Sequence, residues 1–208
     1  MGFEVLGRVA SRISAGRAPT YTEVHVLKAL EILGSSGSVG RQELARLMGL
    51  GEGVVRTLVR HLKSEGLIEI SRGGMSLSDK GSQVLMEIRS FMSSMELPET
   101  EITVGPYNHA VLVKGAAGLI RRGVEQRDMA IKAGASGATT LVYRGGALQM
   151  PGVDVEVPAE IRMRLMEGLE VEEEDAIIIG AGETPLTAEV GAKAAALDLI
   201  RHIAEARP

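Results

Sequence analysis

The stretch VVRTLVRHLKSEGLIEI, Val54 to Ile70, decides how the first half of this 208-residue chain is read. From Glu52 onward, Val55, Leu58, Val59 and Leu62 recur at intervals of three and four, the spacing that gathers side chains into one buried stripe of a helix. Arg56, Arg60 and Lys63 follow the same spacing on another face, so these cations point together. Gly66 supplies the left-handed conformation that stops a helix. LIEI then reads as a strand whose return, MSLS, is reached through SRGG, with Arg72 at the hairpin tip.

Upstream, Thr22 to Leu33 carries Val24, Leu27, Leu30 and Ile32 or Leu33 at helical spacing and is ended by Gly34 and SSGS. A second helix begins after Gly40, with Glu43 in its first turn, and turns Leu44, Leu47 and Met48 inward before GLGEG reverses the chain. Downstream, LSDKGSQVLMEIRSFM predicts a fourth helix with Val84, Leu85, Ile88 and Met92 as its apolar stripe. Met86, Phe91, Met92 and Met95 exceed what one stripe needs and mark a candidate dimer surface; the alanine-rich last helix of the chain is a second.

Helix, turn, basic-faced helix, Gly-Leu-Ile and hairpin, written QELARLMGLGEGVVRTLVRHLKSEGLIEI with the trailing LSDKG, resemble the winged-helix DNA-binding domain of the multiple-antibiotic-resistance type of regulator. The resemblance implies that the third helix enters the major groove, with Gly53, Arg56, Thr57 and Arg60 near bases or phosphates and Lys63 on the same basic face. Arg72 would ride on a wing along the backbone or minor groove. The chemistry agrees. An α-helix fits the major groove, arginine pairs bidentately with guanine, and glycine at a helix start lets the backbone approach phosphate. Glu52 departs from the Ser or Thr with which such helices often begin: it complements the helix dipole but is unfavourable beside phosphate. Duplex DNA is the expected partner. A homodimer is expected too, because one weakly charged domain binds weakly and two linked half-sites raise avidity. A winged helix that docks proteins is the rival reading, separated by the salt dependence that phosphate contacts impose.

Composition bounds the rest. The chain has 45% hydrophobic residues but only two Phe, three Tyr and no Trp, so its cores must be aliphatic. Without cysteine there is no disulfide framework and no thiolate metal site, which makes the cytoplasm the expected location. The start, MGFEVLGRVASRISAGRAP, lacks the apolar core of a signal peptide, and no stretch is long and apolar enough to read as membrane-spanning. Residues 1–97 hold 12 Lys+Arg against 10 Asp+Glu, and residues 98–208 hold 11 against 17, so the net charge of −4 divides into +2 and −6. That split and the proline in SSMELPETE, Ser93 to Glu101, place a linker there and divide the chain into domains 1–97 and 98–208.

The second half alternates strands and helices. HAVLVKG reads as a strand and GLIRRGVEQRDMAIKAG as a helix with Ile120, Val124 and Ile131 inward and Gly134 as its stop. ATTLVYRGGALQM is a tight hairpin turning at Gly145-Gly146. A helix from Pro158 through Leu169, the acidic loop EVEEED, the strand AIIIG and a long helix entered at Thr184-Pro185 follow. With Ile102 to Val104 as an extra strand the order is β-β-α-β-β-α-β-α. The fold class is therefore α+β: a winged helix plus a two-layer domain with a mainly antiparallel sheet. The segments PYNHAVLVKGAAG, GVEQRDMAIKAGASGATTLVY and IIIGAGETPLTAEVGAKAAAL, joined to a winged helix, resemble an uncharacterised archaeal family. Its C-terminal domain is similar to the GAD insert domain of bacterial-type aspartyl-tRNA synthetases. The resemblance implies no catalytic residue.

Two segments are candidate ligand sites for an anionic small-molecule effector. GAGETP, with Gly180, Gly182 and Thr184, joins a strand to a helix N-terminus, where unpaired amides attract phosphate or carboxylate; it lacks the Walker lysine and the dinucleotide fingerprint, and a simple glycine turn with a capped helix is the plainer reading. EQRD, with Glu125, Arg127 and Asp128, is a polar stretch in an apolar helix: either surface pairs of Arg121 with Glu125 and Asp128 with Lys132, or one wall of a pocket with Asn108, His109 and Thr140. The four histidines have no metal spacing, there is no nucleophile elbow, and EVEEED lacks the pattern of a calcium loop, so it reads as a solvated loop. No cofactor and no catalysis are expected. The alternatives are a small-molecule or phosphate-handling enzyme and an RNA-associated factor.

Overall fold

The structure is a computed structural model that describes residues 2–12 and 20–206. The chain divides into two compact units, Met1–Ser90 and Phe91–Pro208. Met1 and residues 13–19 of the stretch read above for a leader lie outside the described residues.

The N-terminal unit begins with a helix absent from the sequence expectation, α1 (Gly2–Ser11), which buries Val5, Leu6 and Val9. Helices α2 (Glu23–Ser36), α3 (Arg41–Met48) and α4 (Glu52–Ser64) follow, then the hairpin β1 (Ile68–Ser71) and β2 (Gly74–Leu77), then α5 (Asp79–Phe91). Leu27, Leu30, Leu33, Leu44, Met48, Leu58 and Leu62 are fully buried, an aliphatic core drawn from the predicted stripes of α2, α3 and α4. Gly49 caps α3 in the left-handed region at φ 63°, and Gly66 at φ 71° ends the segment after α4. Leu67, buried, then donates its N–H to the Leu62 carbonyl at 3.0 Å, closing the helix on an apolar residue as such caps do. Val39 exchanges two backbone hydrogen bonds of 2.9 Å with Met75, adding a short third rung to the hairpin.

The C-terminal unit is a sheet with strand order β3-β4-β7-β5-β6, every neighbouring pair antiparallel. Its elements are β3 (Met92–Leu97), β4 (Tyr107–Val113), α6 (Val124–Lys132), β5 (Gly137–Arg144), β6 (Ala147–Gln149), α7 (Ala159–Gly168), β7 (Ala176–Gly182) and α8 (Pro185–Ala206). Ala110, Leu112, Leu141, Ile177 and Ile179 pack with Ile161 and Leu165 of α7 on one face. On the other, a Cβ at Gly180 would stand 2.5 Å from the Ala188 carbonyl and 2.7 Å from the Ala192 nitrogen, so α8 lies directly on β7 there. Helices thus cover both faces, giving three layers where two were expected.

Further expectations are corrected. The segment read as a linker is strand over its first part: Met92–Leu97 pairs with β4 immediately after α5, and the strand expected at Ile102–Val104 is turn and bend. Met92 and Met95 therefore belong to a sheet edge, Met92 buried and Met95 packed on the α7 core, and only Met86 of the proposed apolar surplus is exposed, at 62%. The helix expected from Gly118 begins at Val124 and is turned over, burying Gln126 and Ala130 while Val124 and Ile131 are exposed. The Gly145-Gly146 hairpin forms as predicted, both glycines at positive φ. The acidic loop is exposed at Glu170 and Glu172–Glu174, as expected of a solvated loop, but its last residue is built into the fold. Asp175 is 2% exposed and accepts hydrogen bonds from the amides of Gly115 (2.8 Å) and Glu172 (2.9 Å). Glu173 accepts from Gly145 (2.6 Å) and Gly146 (3.4 Å), and Glu174 pairs with Arg144 at 3.1 Å.

Candidate nucleic-acid interface and ligand sites

The turn between α3 and α4 puts the basic face of α4 outward. Val55, Leu58, Val59 and Leu62 are buried, while Gly53, Arg56, Arg60 and Lys63 are exposed and Thr57 lies at the margin, its hydroxyl donating to the Gly53 carbonyl at 3.2 Å. Arg72 is exposed at the hairpin tip, held by a turn in which Ser71 Oγ accepts the Gly73 amide at 3.1 Å and Ser38 Oγ donates to the Gly73 carbonyl at 2.9 Å. Among the described residues, the side chains of Arg56, Arg60, Lys63 and Arg72 make no hydrogen bond or ion pair. Of the other described arginines of this unit, Arg46 is engaged with Glu43, and Arg8 and Arg12 with Glu65, while Arg41 and Arg89 are exposed without an ion pair.

The inner side of α4 is fixed by a polar contact that sequence reasoning missed. His61, 2% exposed, meets the Tyr21 hydroxyl at 2.6 Å through Nδ1, the two rings edge to face. The Tyr21 hydroxyl also donates to the Val9 carbonyl at 3.3 Å, tying α4 to α1. Burial, followed by the nearby charges of Arg60 and Arg12, pushes the His61 pKa below its ordinary value. A buried histidine in the apolar stripe of an otherwise basic helix was the available signal.

Gly40, Gly51 and Gly53 have a distinctive setting. None has positive φ, and a Cβ on any of them would meet nothing within 4 Å. Neither backbone conformation nor internal packing therefore requires glycine at these starts of α3 and α4.

In the C-terminal unit the expected ligand residues do not form one pocket. Asn108 and His109 are neighbours on β4 and so face opposite sides of the sheet. The Asn108 amide donates to the carbonyls of Pro98 (3.2 Å) and Gly105 (3.4 Å), while His109 stands opposite Gly180 in the register. Thr140 faces α6, its hydroxyl oxygen 3.0 Å from where a Cβ on Gly123 would be. Glu125, Arg127 and Asp128 are exposed, and Arg127 pairs with Asp128 at 3.2 Å instead of the two i,i+4 pairs expected. At GAGETP, Gly180 and Gly182 are glycine because α8 leaves no room for a Cβ, which at Gly182 would collide with Thr187. Thr184 and Thr187 cap α8 reciprocally, each hydroxyl accepting the other's amide at 3.1 Å. An open cleft of about 490 Å³ bordered by Glu101, Ile102, Met150 and Val155 includes none of these residues. No group of three or more His, Asp or Glu among the described residues is placed to hold a metal.

Residues 22–92 match the family model described as the CggR N-terminal DNA binding domain. The N-terminal unit has the fold of a DNA-binding domain. Residues 104–199 match a second family model, a domain of unknown function, DUF4443. The central glycolytic genes regulator of Priestia megaterium (strain DSM 319 / IMG 1521) is 39% identical to this chain over 67 residues, 31% of this chain and 20% of that protein. The chain thus spans about a fifth of the length of this curated relative. Hypothetical protein PH0730 from Pyrococcus horikoshii OT3 is similar over 88% of this chain and 94% of its own, at 28% identity and a TM-score of 0.72. Among the described residues no helix is long and apolar enough to cross a membrane.

Proposed function

We propose that the protein is a DNA-binding transcriptional regulator: α4 lies in the major groove of duplex DNA and the β1–β2 hairpin runs along the backbone with Arg72. One observation carries this reading. The cations of α4 and of the hairpin tip have no intramolecular partner among the described residues, whereas Arg8, Arg12 and Arg46 are paired. Charges left unpaired on a helix that fits the major groove are available to bases and phosphates. Arg56 and Arg60 read base edges or phosphates, Lys63 and Thr57 flank them, and Gly53 lets the helix start approach the backbone. The resemblance of residues 22–92 to a regulator's DNA-binding domain supports the same reading.

The regulator works in the cytoplasm as a homodimer on paired half-sites. The C-terminal unit, similar in the quoted segments to the GAD insert domain, binds an anionic effector or holds the dimer. Coupling requires an effector to favour one state of the protein over another, since equal binding to both shifts nothing.

The test is selection of genomic fragments bound by the purified chain, followed by fluorescence anisotropy on the best fragment. In the Arg56→Ala/Arg60→Ala protein each lost base contact should cost about 1–3 kcal/mol, or binding should weaken uniformly across sequences if the arginines touch phosphate. Wild-type affinity should fall steeply with added salt. Unchanged binding by the double variant would overturn the assignment, and binding without a salt slope would favour the protein-docking reading.

A further inference from the structure

The starts of α6 and α8 in the C-terminal unit differ. That of α8 is closed by its own threonines. That of α6 is open: its N-cap is Gly123, at φ 72°, with no side chain to cap the helix, and the first turn bonds only through Arg127 N–H to the Gly123 carbonyl at 3.1 Å. The amides of Val124, Glu125 and Gln126 find no acceptor among the described residues. Amides left unsatisfied at a helix start, together with the positive end of its dipole, attract an anion.

A second and independent feature lies at the same place. Thr140 is 4% exposed, and its buried hydroxyl has no hydrogen-bond partner although it stands against the N-cap, 3.0 Å from the position of a Gly123 Cβ. Gln126, in the first turn and 7% exposed, has its side-chain oxygen equally without a partner. Buried polar atoms without partners are rare in folded proteins. Arg121 and Arg122 immediately precede Gly123, both exposed and neither ion-paired among the described residues. Glu125 and Asp128 oppose them, but Asp128 is paired with Arg127.

Resting on the reading of the C-terminal unit as effector-binding, we propose that the start of α6 is a site for a phosphate-sized oxyanion, either free phosphate or the phosphate group of a small metabolite. The three amides and the Thr140 hydroxyl donate to its oxygens, and Arg121 and Arg122 supply the charge. The site thus lies at α6, not at the GAGETP turn, and of the expected pocket it retains the Thr140 hydroxyl and the main-chain amide of Glu125.

The test uses the full chain in a buffer free of phosphate, with thermal unfolding and calorimetric titration against inorganic phosphate and, separately, glycerol 3-phosphate. Saturable stabilisation by one or both is expected, and the tighter of the two identifies the source. Thr140→Val should weaken binding about tenfold, the loss of one hydrogen bond to a charged group, without lowering the melting temperature of the unliganded protein. Arg122→Gln should weaken binding as well, while Thr184→Ala should respond as wild type. No saturable response to either probe, or a wild-type response in Thr140→Val, overturns the site. If Thr140→Val does not fold, a wild-type response in Arg122→Gln overturns it. Anisotropy on the same preparation keeps the readings apart: DNA binding with no phosphate response removes only this site, and phosphate binding without DNA binding removes only the regulator reading.

Discussion

Replacing Gly53 with alanine should make the protein more stable and a worse DNA binder. Gly53 is the second residue of α4, its φ is not positive, and an added Cβ would meet nothing within 4 Å. Within the chain, the substitution therefore brings only the propensity gain of alanine over glycine in a helix, at most about 1 kcal/mol and less in a first turn. For a unit of this size that is a rise of up to roughly 4–8 °C in melting temperature. If the helix start lies against a phosphate, the new methyl group holds α4 away from the duplex. Displacing even one phosphate or base contact costs about 1–3 kcal/mol, or roughly tenfold and more in Kd. Calorimetric unfolding of the full chain and anisotropy at fixed salt read the two effects separately. The diagnostic result is their opposite sign. A stabilised Gly53→Ala protein with unchanged DNA affinity would refute the reasoning, because the glycine would then serve neither the fold nor the interface. Gly66→Ala makes the contrast: at φ 71° its glycine is required by the backbone, and alanine there should cost about 1–2 kcal/mol of stability.

Gly180→Ala should destabilise the C-terminal unit by about 1–3 kcal/mol, since the new Cβ meets backbone atoms of α8 that cannot move aside; a neutral melting temperature would refute the close packing of α8 on β7. Asp175→Ala strands the amides of Gly115 and Glu172 and should cost about 3 kcal/mol or more, measured by denaturant unfolding, with a neutral result refuting a structural role for the loop. The pKa values of His61 and His25 are both held below the ordinary value near 6.5, by burial first and then by neighbouring cations. The unfolded chain therefore takes up protons that the folded chain refuses. Stability is full above about pH 6.5, falls as pH drops below it, and levels off once the pH passes the depressed folded values. Melting temperature followed from pH 8 to 5 should show that fall, and His61→Gln should flatten it; an unchanged slope would remove His61 from the account.

The sequence by itself determined what short-range chemistry controls. The stripe of α4 and its opposed arginines, the glycine stop before Leu67 and the Gly145-Gly146 turn each rest on side chains a few residues apart, so their geometry follows from helical period or from the φ a glycine permits. The α-β order of the second half was legible too, with its first strand misplaced. Met92–Leu97 reads as helix end and polar linker because its strand character comes from pairing with β4, and only the fold brings β4 beside it. The inward face of α6 was reversed for a related reason: Ile131 and Val124 are the more apolar residues, yet close approach to α8 and β5 selects small ones, with Ala130 and Ala135 against Gly191 and Gly123 against Thr140. Whether Gly180 and Gly182 cradle an anion or admit a helix depends on which atoms stand 3 Å away. Nothing along the chain encodes that distance; the packing of α8 across the central strand decides it.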